Sequence, residues 1–190
     1  MKLRVYMLLC LVLSACHAKV QPAPPLRAKT IYGHEVASIM PADHRSHVLF
    51  FLSVHCPVTA GTMPEIFKIM DEYSPSQFKF FLIFTDPEAD PSKVQKFLHH
   101  HGSTADAIMD AGHQLVNHFS VSATPETVVL SPKGETLYQG RINDLYNGQN
   151  LKQPYVQHHD LRRILDTLAS SRKVKACKTE TVGSRISAVH

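Results

Sequence analysis

Seven consecutive positions, Val48-Leu49-Phe50-Phe51-Leu52-Ser53-Val54, are apolar except for one serine. So short a run of β-formers, with no polar alternation, predicts a central strand covered on both faces. Helical spacing takes over from about Thr62 to Tyr73. There Met63, Ile66, Phe67 and Met70 form a stripe, and Glu65, Lys68, Asp71 and Glu72 are left for the wet face. Pro64 fits such a helix only in its first turn. Phe78 to Phe84 predicts a second buried strand, closed by Thr85-Asp86-Pro87, and Pro91 to His100 a helix with Val94, Phe97 and Leu98 inward. Ala107 to Met109 suits a short strand, Gln114 to Phe119 a short helix, and Thr127 to Leu130 a third strong strand. Ser131-Pro132-Lys133-Gly134 then turns the chain into Thr136 to Gln139. A last helix, from about His159 to Ala169, sets Leu161, Ile164, Leu165 and Leu168 against Arg162, Arg163 and Asp166.

Alternating βα units followed by a hairpin and a closing helix predict an α/β fold: a mixed central sheet with helices on both faces, in three α/β/α layers. Parallel neighbours in such a sheet are joined by right-handed crossovers.

The flanks read differently. Lys2 and Arg4 precede the apolar stretch Val5 to Leu13, which is too short to span a bilayer and has the form of a secretory signal. Its end, Leu13-Ser14-Ala15-Cys16, resembles the bacterial lipobox, which implies cleavage before Cys16 and lipidation of that cysteine. A plain secretory peptide cut near Ala15 or Ala18 is the alternative, and both predict an exported protein. Pro22, Pro24 and Pro25 mark an extended tether. The expected layout is a signal over 1–15, a tether over 16–29, a folded domain over 30–169 and a basic, poorly periodic tail over 170–190.

With 190 residues the chain accommodates one domain plus these appendages. Its formal charge of +4 falls to +2 once Lys2 and Arg4 are discounted, too little to argue for nucleic acid. Of the four cysteines, Cys10 lies in the signal and Cys16 is the candidate anchor, so Cys56 and Cys177 remain as thiols. In an oxidising compartment that pair points to redox exchange or one bridge.

Cys56 carries the chemistry. It ends the first strand and is followed by Pro57-Val58-Thr59 and helix-forming sequence, so the thiol meets a helix N-terminus, where backbone N–H groups favour thiolate.

The strand leading into Cys56-Pro57-Val58-Thr59, then Pro64-Glu65, Thr85-Asp86-Pro87 and Ala123-Thr124-Pro125-Glu126, resembles the thioredoxin-like superfamily. The nearest branch is the redoxins related to alkyl hydroperoxide reductase and thiol-specific antioxidant proteins, and the resemblance spans roughly Val48 to Ala169. Tyr138-Gln139-Gly140-Arg141-Ile142-Asn143-Asp144-Leu145-Tyr146 is similar to a Gly-Arg-Ile-Asp-Asp-x-Tyr pattern in exported redoxin-like proteins. The resemblance implies a cis peptide before Pro125, with Pro57, Thr124 and Pro125 shaping a substrate groove. It also implies Cys56 as the reacting thiol, Thr59 as a hydrogen-bond donor to it, Ser53 as the Thr/Ser of a Pro-x-x-x-Thr/Ser-x-x-Cys motif, and Arg141 as the cation near the sulfur.

Three departures shape the mechanism. Thr59 stands where thioredoxins carry their second cysteine, and Leu49 where the peroxide-reducing branch has proline. Gly183-Ser184 stands where some related proteins end in Gly-Cys, which leaves Cys177 as the candidate resolving thiol. Thirteen histidines, with His55 beside Cys56 and the run His99-His100-His101, invite a metal, but consecutive histidines at a helix end diverge, and no metal-ligand spacing appears. No phosphate loop or serine-nucleophile elbow occurs. The expectation is a lipid-anchored envelope oxidoreductase that needs no cofactor and acts on a thiol or disulfide protein or a peroxide. The alternative is a non-catalytic module of the same fold that holds a partner protein or metal.

Overall fold

The computed structural model describes residues 26, 28–36 and 38–187, so the signal, Cys16 and most of the tether lie outside the described residues. The elements run β1 (Ala28–Thr30), β2 (Glu35–Val36), β3 (Ser46–Leu52), α1 (Pro57–Glu72), β4 (Phe78–Phe84), α2 (Pro91–His100) and β5 (Ile108–Met109). Next come α3 (Gln114–Phe119), β6 (Ala123–Thr124), β7 (Glu126–Leu130), β8 (Thr136–Gly140), α4 (Asp160–Ala169), β9 (Cys177–Lys178) and β10 (Ser184–Arg185).

Eight strands form one mixed sheet in the order β2-β1-β5-β4-β3-β7-β8-β9, while β10 and β6 pair separately. The strand read as central is central. β3 runs parallel to β4 from Ser46↔Phe78 to Leu52↔Phe84 and antiparallel to β7, with Val48 opposite Val129. Every residue of β3 is buried, because its two faces serve two cores. Val48, Phe50 and Leu52 join Met63, Ile66 and Ile69 of α1, Val94 and Leu98 of α2, and Leu161, Ile164 and Leu165 of α4. Leu49 and Phe51 face the other way, toward Leu115 and Val116 of α3 and toward Ile39. The layers are therefore unequal, with three helices on one face and a single short one on the other.

Four expectations are corrected. α1 begins at Pro57 rather than near Thr62, because Cys56 caps it, and Pro64 consequently sits inside the helix. There proline has no N–H to return to the Ala60 carbonyl. The stretch read as tether already contains β1, which pairs Lys29 with Met109 of β5 and with Glu35 of β2. The tail carries β9 and β10, which take their hydrogen bonds from β8 and β6. Strands of two or three residues leave no period to read.

Two polar features hold the frame. Arg162 of α4 donates from Nε to Glu65 at 2.6 Å and from Nη1 to Glu72, so one guanidinium grips two carboxylates a turn or more apart on α1. Glu126, fully buried at the start of β7, accepts from the Ser122 N–H at 3.0 Å and from Gln139 Nε2 at 2.7 Å. A buried carboxylate is tolerated only with such donors.

Phe50 lies wholly inside the larger core. Phe50→Ala is expected to lower unfolding free energy by about 3–5 kcal/mol in guanidinium denaturation, the range for a large aromatic removed from a packed interior.

Candidate active site

Parallel pairing of β3 with β4 ends both strands at one level, since Leu52 faces Phe84 and the Thr85 N–H donates to the Leu52 carbonyl at 2.9 Å. That brings Asp86 beside the loop that follows β3. Its carboxylate accepts from the Ser53 hydroxyl and, at 2.9 Å, from the Val54 N–H. The Ser53 hydroxyl accepts from the His55 N–H at 3.1 Å, and the Ser53 carbonyl from the Cys56 N–H at 3.3 Å. One carboxylate from the neighbouring strand thus fixes the turn that presents the sulfur.

Cys56 is the N-cap of α1, with an extended backbone at φ −87° and ψ 116°. Its sulfur occupies the place where a serine or aspartate cap oxygen ordinarily sits and accepts the Thr59 N–H at 3.4 Å. As a thiol it donates to the Thr124 carbonyl at 2.9 Å. The Thr124-Pro125 peptide is cis, and Pro57 stands exposed at the first helical position.

Only 1% of Cys56 is exposed, so ionisation there needs compensation. Burial pushes the thiol pKa up, but the polar groups of Ser184 and Thr59 around the sulfur, among them the bonded Thr59 N–H, favour thiolate by more. The pKa settles below the ordinary thiol value. The Thr59 hydroxyl is buried and makes no hydrogen bond of its own, which leaves its proton free to turn toward the sulfur. The Thr124 carbonyl acts the opposite way, since the sulfur can bond to it only as S–H.

Cys56, Thr59, Thr124 and Pro125 therefore come together, with Pro57 at the rim. Ser53 stands one step back, with its hydroxyl on Asp86 rather than on the sulfur. Arg141 lines a small pocket with Val58 and Pro125, and its Nε donates to the buried Asp160 at 2.7 Å, across the join between β8 and α4. Cys177 is exposed, unbridged and distant. It faces Tyr138, which faces Val129, which faces Val48. Three strand spacings of about 4.8 Å put it roughly 14 Å across the sheet, and Val48 lies a further ~13 Å before the end of β3. A disulfide requires Cα atoms within about 7 Å, so Cys177 cannot resolve Cys56 in this conformation.

Two contributors escaped the sequence reading. Asp86 read as an ordinary turn residue. Ser184 carries no thiol, and its place opposite the cysteine of a Gly-Cys pair is the one sequence signal that its position faces the site. Among the described residues, no group of three or more His, Cys, Asp or Glu side chains could hold a metal ion. None of their helices is long and apolar enough to cross a membrane.

The profile of the AhpC/TSA family matches residues 20–139. No curated protein matches the chain. Among solved structures, an uncharacterized conserved protein from Geobacillus kaustophilus is similar at 19% identity and a TM-score of 0.72, covering 89% of this chain and 91% of its own. A hypothetical protein from Sinorhizobium meliloti 1021 is similar at 17% identity and a TM-score of 0.72, with 86% and 91% covered. A secreted Mycobacterium tuberculosis disulfide oxidoreductase homologous to E. coli DsbE is similar at 18% identity and a TM-score of 0.53, with 76% and 94% covered. At these identities the likeness concerns the fold, which is thioredoxin-like.

Thr59→Val removes the hydroxyl and keeps the backbone N–H. The expected outcome is a higher Cys56 pKa and less thiolate at neutral pH, read from thiolate ultraviolet absorbance against pH, while an unchanged titration curve contradicts the assignment.

Proposed function

The chain belongs to the AhpC/TSA family, and on that premise we propose that it is a thiol oxidoreductase in which Cys56 is the reacting group. The observation that carries this reading is the capped sulfur, a buried thiol whose hydrogen-bond donors favour its ionised form. With a peroxide, the thiolate attacks one oxygen, the S–O bond forms as the O–O bond breaks, and the departing oxygen leaves as hydroxide or alkoxide and takes a proton from water. The product is a sulfenic acid. With a disulfide, the thiolate attacks one sulfur and expels the other as thiolate, leaving a mixed disulfide on Cys56.

A second thiol must then attack. Since Cys177 stands at the far edge of the sheet, that thiol comes from outside the chain, which fits a motif whose second position is Thr59. Its attack on the sulfenic acid releases water, and a further thiol frees Cys56 as a disulfide leaves. Thr124 and Pro125 border the groove, and this chemistry requires no dissociable cofactor.

Export and lipid attachment through Cys16 complete the proposal. They rest on the charged and apolar start of the chain and on Leu13-Ser14-Ala15-Cys16. Substrate is then met at the cell envelope, as a peroxide or as a thiol or disulfide protein.

Burial of the sulfur favours one rival, a module that keeps the fold and holds a partner without turnover. Peroxide consumption with dithiothreitol as reductant separates the two. Cys56→Ser is expected to lose roughly three orders of magnitude or more, the scale typical of a lost nucleophile, while Cys177→Ser retains turnover. Wild-type protein without turnover supports the binding module instead, and Cys56→Ser protein that keeps it overturns the assignment of Cys56 as the reacting group.

A further inference from the structure

The segment after β9 does not trail away from the fold. It leaves the sheet edge at Thr179, whose hydroxyl meets the Tyr138 hydroxyl at 2.7 Å and accepts the Arg141 N–H at 3.2 Å. Val182 is buried in a slot bounded by Val58, Thr62, Pro125, Ile142 and Tyr146, which it fills to a remaining 10 Å³. Gly183 then passes the cis peptide at close quarters, with φ at +143°. A Cβ there would lie 1.9 Å from the Thr124 carbonyl oxygen and 3.1 Å from Pro125 Cδ, so no other residue passes without displacing backbone. Asn150 donates to the Gly183 carbonyl at 3.3 Å. Ser184 and Arg185 pair antiparallel with Thr124 and Ala123, and the Ile186 N–H donates to the Ser122 carbonyl at 3.0 Å.

We propose that residues 182–186 are an intramolecular occupant of the peptide-binding edge at Thr124, a specificity element that bars extended disulfide substrates from Cys56 until it unpairs. The biological use of this element rests on the reading of Cys56 as the reacting thiol, whereas the geometry of the cover does not.

Three observations carry the proposal. A strand edge offers one row of N–H and C=O groups, so an incoming extended peptide and β10 cannot both use Thr124. The sulfur at the mouth of the groove is 1% exposed, and the opening beside β10 is a cavity of about 150 Å³ bordered by Ser53, Thr85, Asp86, His113 and Ser184. The pairing itself is a two-residue ladder outside the eight-stranded sheet, the kind of contact that opens locally without global unfolding.

Two variants test the cover in the full chain. In Ser184→Cys, oxidation by added diamide is expected to join Cys56 to the introduced thiol. The two thiols lose two protons and two electrons, and diamide takes them up to become its hydrazine. Peptide mapping identifies the bridge, and its absence in folded protein overturns the proposal. Gly183→Val places a side chain where backbone already sits and so unseats β10. The probe is an extended peptide carrying a thiopyridyl disulfide: Cys56 attacks the peptide sulfur, the S–S bond breaks, and thiopyridone leaves. At a pH where the thiol is fully ionised in both proteins, the variant is expected to react about tenfold faster than wild type, the ratio that a 1.4 kcal/mol opening cost produces. Equal rates overturn the proposal. Neither experiment requires turnover, so a failure of peroxide consumption alone removes the functional reading and leaves this one standing.

Discussion

Everything at the site depends on one exchange: burial takes water away from a sulfur, and N–H and O–H groups must take its place. Cys56 obtains them because β3 stops one turn before a helix begins, so the thiol inherits the free amide of Thr59 that every helix leaves at its start. An ionised group that is buried without such donors reverts to its neutral form. The fold therefore had to solve a placement problem before any reaction chemistry could occur.

That placement is over-determined. Parallel pairing of β3 and β4 levels their ends, Asp86 clamps the intervening turn, and the unequal layers press α1 against the sheet with α2 and α4 beside it. A small shift in any of these would carry the sulfur away from the Thr124 carbonyl or from the helix amides. The two-sided burial of β3 is the reason its residues show no polar alternation, so the same demand that shapes the core also marks the strand in the chain.

Legibility in the sequence followed element length. β3, β4, α2 and α3 were readable because their apolar positions are dense or periodic, and Cys56 because it lies at the seam between a strand and a helix. The start of α1 was misread for a local reason: Pro57 to Gly61 carry no regular stripe, and Pro64 looked like a beginning. The short strands β6, β9 and β10 owe their existence to partners far away in the chain, which no local pattern records. The resemblance implies Arg141 as the cation near the sulfur, and what the chain does not announce is that the buried carboxylate of Asp160 engages its Nε. Ser184 leaves one trace in the chain, its place opposite the cysteine of a Gly-Cys pair, and its pairing with Thr124 gives that trace its meaning.

The grip of Arg162 on Glu65 and Glu72 has a mechanical side. It bolts α4 to the flank of α1, near the middle of that helix and near its last turn, and ties down the body of the element whose first turn holds the sulfur. Backed in this way, α1 is anchored to the body of the fold along its length, whereas β10 opposite it is held by a two-residue ladder.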